Sequence, residues 1–176
     1  MTLAELILAL VTLQRAGELV VAHRNTRRLL ARGGIELAPG HYPLVVAVHA
    51  SWLISLWLFG RGQDVNATAL AAYLILQVFR VWVFWTLGTR WTTRIIVLPE
   101  QPLVSRGPYR YLSHPNYAVV IGEIAVLPLV LGLPWLAVIF TILNAVVLLI
   151  RIRAENRALA ASREITAREI TARAAS

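Results

Sequence analysis

The chain has 176 residues, 58% of them hydrophobic and only 15% charged, with six tryptophans. That balance excludes an ordinary soluble domain and specifies a multi-span membrane protein. Its net charge of +8 comes from arginine alone, and the lack of cysteine excludes disulfides, thiolate catalysis and Cys-ligated zinc or iron–sulfur centres.

Crossing a bilayer takes roughly 20 apolar residues. Five stretches meet or approach that length: Leu3 to Val21, Tyr42 to Phe59, Ala67 to Leu87, Tyr117 to Leu131, and Pro134 to Ile150. The expected fold is all-α, an integral membrane bundle of five transmembrane helices. The first stretch lacks a basic leader and a small-residue cleavage site, so it reads as a retained helix. The fourth is short and interrupted by Pro128, and Gly132-Leu133-Pro134 turns directly into the fifth, which makes the last two a tight helical hairpin. One transmembrane domain is expected over residues 1–159. A basic tail follows over 160–176, where REITA occurs twice, and it reads as an exposed helix at the membrane surface.

Arginine placement sets the orientation. Arg24, Arg27, Arg28 and Arg32 follow the first span, Arg90, Arg94, Arg106 and Arg110 the third, and Arg151 and Arg153 the fifth, whereas the opposite side has only Arg61. The N-terminus is expected outside, with both long loops and the tail cytoplasmic. Anionic membrane lipid accounts for this basic excess, so no nucleic-acid partner is expected. Apolar faces on the first three spans serve either lipid or another protomer.

Ionisable groups inside spans are costly and face a cavity or a partner. Gln14 and Glu18 lie one turn apart, and Arg15 precedes Glu18 by three, which permits an ion pair within the first span. Gln77 and Arg80 repeat the arrangement in the third. Glu123, two turns into the fourth span, needs a cationic partner, and Arg80 is the candidate. His49 sits on the cytoplasmic half of the second span, as either a structural histidine or a substrate contact. Glu18, His49, Arg80 and Glu123 are therefore the candidate catalytic residues. His23, His41, His49 and His114 show no metal-ligand spacing, so no metal is expected.

Polar groups concentrate in the stretch Pro102 to Glu123. Gly107-Pro108 marks a turn, Tyr109, Arg110 and Tyr111 form an interfacial cluster, and His114 is held extended by Pro115, which suits the first position of a helix. Free N–H groups at that helix start form a site for a carboxylate or phosphate, with Tyr117 in the first turn placed to cover a ligand. Further on, Asn144, Leu148, Arg151 and Glu155 share one helix face that runs out of the membrane. Arg151 and Glu155 either pair with each other or hold a ligand.

At LVSRGPYRYLSHPNY before the hairpin, and RIRAEN after it, the chain resembles the isoprenylcysteine carboxyl methyltransferase family of integral-membrane enzymes. The resemblance implies S-adenosylmethionine as cofactor and a bipartite site for it. Leu103, Val104, Gly107, His114, Pro115 and Tyr117 would form the first part, and Arg151 and Glu155 the second. Ser113, Val119 and Asn156 stand where the family usually has arginine, glycine and a second glutamate. The N-terminal segments LQRAGELVVAHRN and GGIELAPGHYPLVVAVHASWL are similar to a bacterial branch that O-methylates alkylpyrones or alkylresorcinols. This implies a lipophilic small-molecule substrate and a bacterial plasma membrane. An NADPH-dependent reductase of the sterol type, which shares an HPNY segment, and a non-enzymatic membrane scaffold are the alternative readings.

Overall fold

A computed structural model describes the backbone of residues 1–37, 39–98 and 104–174, and the side chains of those up to Glu155 other than His41. Among the described residues there are five α-helices: α1 (Leu3–Ala31), α2 (Tyr42–Gly60), α3 (Ala67–Leu87), α4 (Pro115–Val130) and α5 (Pro134–Ala174). Four of them, α1, α2, α3 and the first part of α5, are long and apolar enough to cross a membrane. The fourth apolar stretch is shorter than that criterion. Its 16 residues rise about 24 Å, against a hydrocarbon core of about 30 Å.

The helix boundaries follow local chemistry. Thr2 and Glu5 form a capping box at the start of α1, each side chain bonding the other's backbone N–H. Asn66 caps α3 by accepting from Ala69 N, and Pro115 occupies the first turn of α4. Pro128 lies only two residues before the end of α4, so it shortens the helix without breaking it. The α4–α5 turn closes tightly, with Leu133 N donating to Pro128 O at 2.8 Å. The expected helical hairpin is present.

Two features differ from the sequence expectation. First, α1 runs ten residues past its apolar stretch to Ala31, so Arg24, Arg27 and Arg28 ride on helix and not loop. Second, a small antiparallel sheet joins β1 (Ile35–Glu36) to β2 (Ile96–Val97), pairing Ile35 with Val97 and Glu36 with Ile96. Strands of two residues are too short to show an alternating pattern, which is why an all-α reading missed them. Past its apolar part, α5 stays helical to Ala174, within the residues read as a tail.

Packing sets which ends of the helices meet. Asn66 N donates to Val130 O, and the Leu131 side chain lies against Gly60, so the α2–α3 and α4–α5 turns share one end of the bundle. At the other end Asn25 of α1 donates to Gly88 O and Trp91 O, and Gly107 backs onto Thr86 of α3. The core between these ends includes Leu8, Val11, Trp52, Leu56, Tyr73, Ile124, Leu127, Leu136 and Phe140. Large apolar side chains also point outward, among them Leu13, Leu58, Ile75, Val78 and Trp85, as expected for a surface solvated by lipid.

Candidate active site

The Asn25–Thr86 end of the bundle holds two adjoining cavities. The outer one, about 510 Å³, is walled by the segment from Arg90 to Leu98, by Val104, Ser105, Tyr109, Ser113, His114, Asn116 and Tyr117 around the start of α4, and by Arg151 and Glu155 on α5. The inner one, about 290 Å³, is predominantly apolar and lies between α1, α2, α3, α4 and α5. Trp91, Thr92, Asn116, Tyr117 and Arg151 line both. They form the wall, or the doorway, between them.

Tyr117 is the pivot of the outer cavity. Its hydroxyl donates to Glu155 Oε2 at 2.8 Å and accepts from Arg151 Nε at 2.9 Å. The Arg151 guanidinium lies over the Tyr117 ring, and the His114 ring stacks on that ring at 5.0 Å and 12°. Arg151 and Glu155 thus meet through Tyr117, and neither surface pairing nor ligand contact alone describes them. Two segments more than thirty residues apart converge as expected. Nearby, burial and the Glu155 carboxylate push the Tyr109 phenol up to about 12, which keeps it a neutral hydroxyl.

A strap over residues 88–98 covers this site. Buried Asn25 anchors it from α1, and Arg94 bonds Glu36 at 2.9 Å while sitting over the Tyr42 ring. Tyr42 in turn bonds Thr93. Sequence reasoning passed over Trp91 and Thr92 because it treated the arginines of this loop only as orientation markers, and it singled out His114, Pro115 and Tyr117 around Asn116 without Asn116 itself. A tryptophan among threonines beside those arginines was the available signal.

The intramembrane charges close on one another. Arg15 donates to Glu18 at 3.0 Å and to Glu123 at 2.8 Å, and Arg80 donates to both carboxylates. Gln14 donates to Glu18 and to Gln77, and Gln77 donates to Glu123 at 2.7 Å. Two cations and two anions therefore cancel in a network that ties α1, α3 and α4. Arg80 is the partner of Glu123, and it serves Glu18 as well.

The candidate residues separate by position. Glu18, His49 and Arg80 line the inner cavity, whereas Glu123, 1% exposed, lies behind it within the charge network. Val104, His114, Tyr117, Arg151 and Glu155 line the outer cavity. Gly107 and Pro115 shape it from behind: a Cβ on Gly107 would meet Thr86 Oγ1 at 2.5 Å, and its φ of +58° favours glycine. Asn144 is buried on the same face of α5 as Leu148 and Arg151 but lines neither cavity. Leu103 lies outside the described residues.

The sequence model of the isoprenylcysteine carboxyl methyltransferase (ICMT) family matches residues 68–161, more than half of the chain and all of the outer site except Leu29 of α1. The chain belongs to this family. It is an integral membrane protein of a methyltransferase family, and the converging segments are the family's matched region. An uncharacterized protein of Bacillus subtilis (strain 168), YpbQ, is 38% identical over 159 residues, covering 88% of this chain and 95% of its own length. An uncharacterized protein of Haemophilus influenzae is 24% identical over 147 residues, covering 80% of this chain and 86% of its own. No solved structure matches the chain.

Proposed function

We propose that this protein transfers the methyl group of S-adenosylmethionine to an oxygen of a lipophilic acceptor at the cytoplasmic face of the membrane. The observation that carries the reading is the pair of cavities, one polar and one apolar, sharing the wall Trp91, Thr92, Asn116, Tyr117 and Arg151. A polar sulfonium donor fits the first and an alkyl chain the second.

The outer cavity has the donor set that such a cofactor needs. Glu155 can accept from its ammonium and Arg151 can hold its carboxylate, while the His114–Tyr117 stack offers an aromatic face to its base. Its volume falls in the range of about 300–1,000 Å³ usual for small-molecule sites. When bound, it supplies an electrophilic methyl group. The protein's part is to position the acceptor oxygen and keep bulk water away.

Leu19, Val46 and Ala50 line the inner cavity yet are exposed at the surface of the bundle. They mark an opening towards lipid between α1 and α2, through which an alkyl chain reaches the cavity laterally. An isoprenylcysteine-like carboxylate, or the enol or phenol of an alkylpyrone or alkylresorcinol, is an acceptor of this shape. The arginine distribution supports the membrane placement in this reading. The site end carries Arg24, Arg27, Arg90 and Arg94, whereas Arg61 lies at the far end beside Glu5, so the site end is cytoplasmic. With its preceding turn, α4 reaches from Thr86 to Asn66 along the length of α3 and acts as the fifth crossing. Residues 1–159 form the catalytic domain and 160–176 its basic tail.

The test is ligand binding to the chain in lipid nanodiscs. S-adenosylhomocysteine should raise the unfolding temperature and NADPH should not. Glu155→Ala removes one charge-assisted contact of about 1.5–3 kcal/mol and should weaken S-adenosylhomocysteine roughly 10- to 100-fold, while the ligand-free protein stays folded with only the stability loss of the Tyr117 bond. Stabilisation by NADPH alone would replace this reading with a reductase. Unchanged affinity in Glu155→Ala would remove the assigned cofactor site.

A further inference from the structure

The inner cavity also bears on what the acceptor brings with it, an inference that rests on the methyltransferase reading above. Its titratable groups are Arg15 and Glu18 from α1, Tyr42 and His49 from α2, Arg80 from α3, and Tyr117 and Arg151 from α4 and α5. Nearly all are committed. Both Glu18 oxygens are occupied, Oε1 by Gln14 and Arg80 and Oε2 by Arg15 and Arg80. The Tyr42 hydroxyl pairs with Thr93, and the Tyr117 hydroxyl is held by Arg151 and Glu155.

His49 differs from them. Its Nδ1 lies 2.8 Å from the carbonyl oxygen of Val45, one turn back on α2. A carbonyl can only accept, so Nδ1 carries the proton of that bond and the lone pair of the neutral ring is on Nε2. Among the described residues Nε2 has no protein partner, and the side chain lines the inner cavity. The backbone of α2 thereby fixes the tautomer that leaves a base facing the acceptor site.

The charge balance points the same way. Arg15 and Arg80 are matched by Glu18 and Glu123, so the two guanidiniums deepest in the cavity offer no uncompensated charge to a carboxylate. We infer that His49 Nε2 takes the proton of a hydroxyl acceptor that arrives protonated, as the phenol or enol named above would. The acceptor oxygen forms its bond to the methyl carbon as the carbon–sulfur bond breaks. That bond's electron pair stays on sulfur, the sulfonium becomes a neutral thioether, and the hydroxyl proton moves to Nε2 and then to water. A neutral imidazole lone pair can take the proton of a phenol or a more acidic enol as its oxygen attacks, and it is too weak a base for an aliphatic alcohol.

The test compares the wild type with His49→Gln and His49→Asn, whose amides can still donate to the Val45 carbonyl. The probes are two long-chain alkylphenols, one plain and one carrying a ring nitro group that ionises it at neutral pH. His49 does not line the outer cavity, so S-adenosylhomocysteine affinity should be the same in all three proteins. kcat for the plain phenol should fall about 10²–10⁴-fold in the variants, while the nitrophenol loses less than tenfold. Without any methyl donor, the absorbance of the bound nitrophenol should report ionisation at a lower pH in the wild type than in the variants. Equal losses with both phenols, or one ionisation pH in all proteins, would overturn the role of His49 and leave the methyltransferase reading standing. Failure of the wild type to bind S-adenosylhomocysteine or methylate either phenol would overturn both.

Discussion

Replacing Glu123 by glutamine isolates the energetics of the intramembrane charges. Glu123 is 1% exposed, and its oxygens accept from Gln77, Arg15 and Arg80. A glutamine there must turn its NH2 towards either the arginines or the Gln77 amide, and the network keeps two cations against one anion. Breaking a buried pair by removing one partner costs about 3–5 kcal/mol. At about 2–4 °C per kcal/mol for a chain of this size, the unfolding temperature should fall by roughly 6–20 °C. Adding Arg15→Gln removes the surplus cation and leaves Arg80 paired with Glu18. The double variant should therefore unfold at a higher temperature than Glu123→Gln alone, a coupling of about 0.5–3 kcal/mol between contacting residues. Thermal unfolding in lipid nanodiscs, followed by tryptophan fluorescence, measures the wild type, the two single variants and the double variant. A double variant that loses the sum of the two single effects, or a Glu123→Gln protein within about 2 °C of wild type, would refute this account.

Three further outcomes follow from the outer site and its supports. Tyr117→Phe deletes the hydroxyl that bridges Arg151 and Glu155 and should weaken S-adenosylhomocysteine about tenfold by calorimetry, at a stability cost of about 1–3 kcal/mol. Asn25→Ala releases the carbonyls of Gly88 and Trp91, so hydrogen exchange over residues 88–92 should speed up by about tenfold or more. Gly107→Ala must hold an alanine at φ +58° against Thr86, whereas Gly132→Ala, at φ +67°, meets open space. The first should lower the unfolding temperature more than the second, whose cost is the left-handed strain of about 1 kcal/mol.

Much of this was legible in the sequence because a membrane makes polar residues conspicuous. In an apolar span every Gln, Arg or Glu asks for a partner, and that reasoning alone led from Glu123 to Arg80 and from Arg15 to Glu18. Spacing gave Arg151 and Glu155 a common face, and Pro115 gave the start of α4. Helical periodicity could not show that Arg80 is shared by two carboxylates, because α1 and α4 meet only in three dimensions. Nor could it show the strap. Trp91 and Thr92 owe their place to Asn25, sixty-six residues away from Trp91, and to a sheet of two-residue strands that no local pattern announces. The end of α1 was misplaced for a related reason: residues 22–31 are more than half arginine, alanine and leucine, good helix formers, and apolar content marks where a bilayer ends, not where a helix ends.

The distribution of tethers around the inner cavity explains why a lipid-borne acceptor and buried charge can coexist there. Each ionisable group at the centre of a membrane costs about 2.5–3.5 kcal/mol by insertion scales, and four of them are tolerable only when mutually satisfied. That requirement locks α1, α3 and α4 to one another, giving the cavity three walls that cannot separate without exposing charge. The fourth wall is different. Side-chain bonds join α2 to α1 at Trp57–Thr12 and, just past its end, at Arg61–Glu5, both remote from the site. Near the cavity the α1–α2 seam is lined by Leu19, Val46 and Ala50, which lose nothing by facing an alkyl chain. Among the described residues, the part of the α1–α2 seam beside the cavity thus has no ion pair across it, so the helix that carries His49 also borders the stretch where an alkyl chain could enter at the least electrostatic cost.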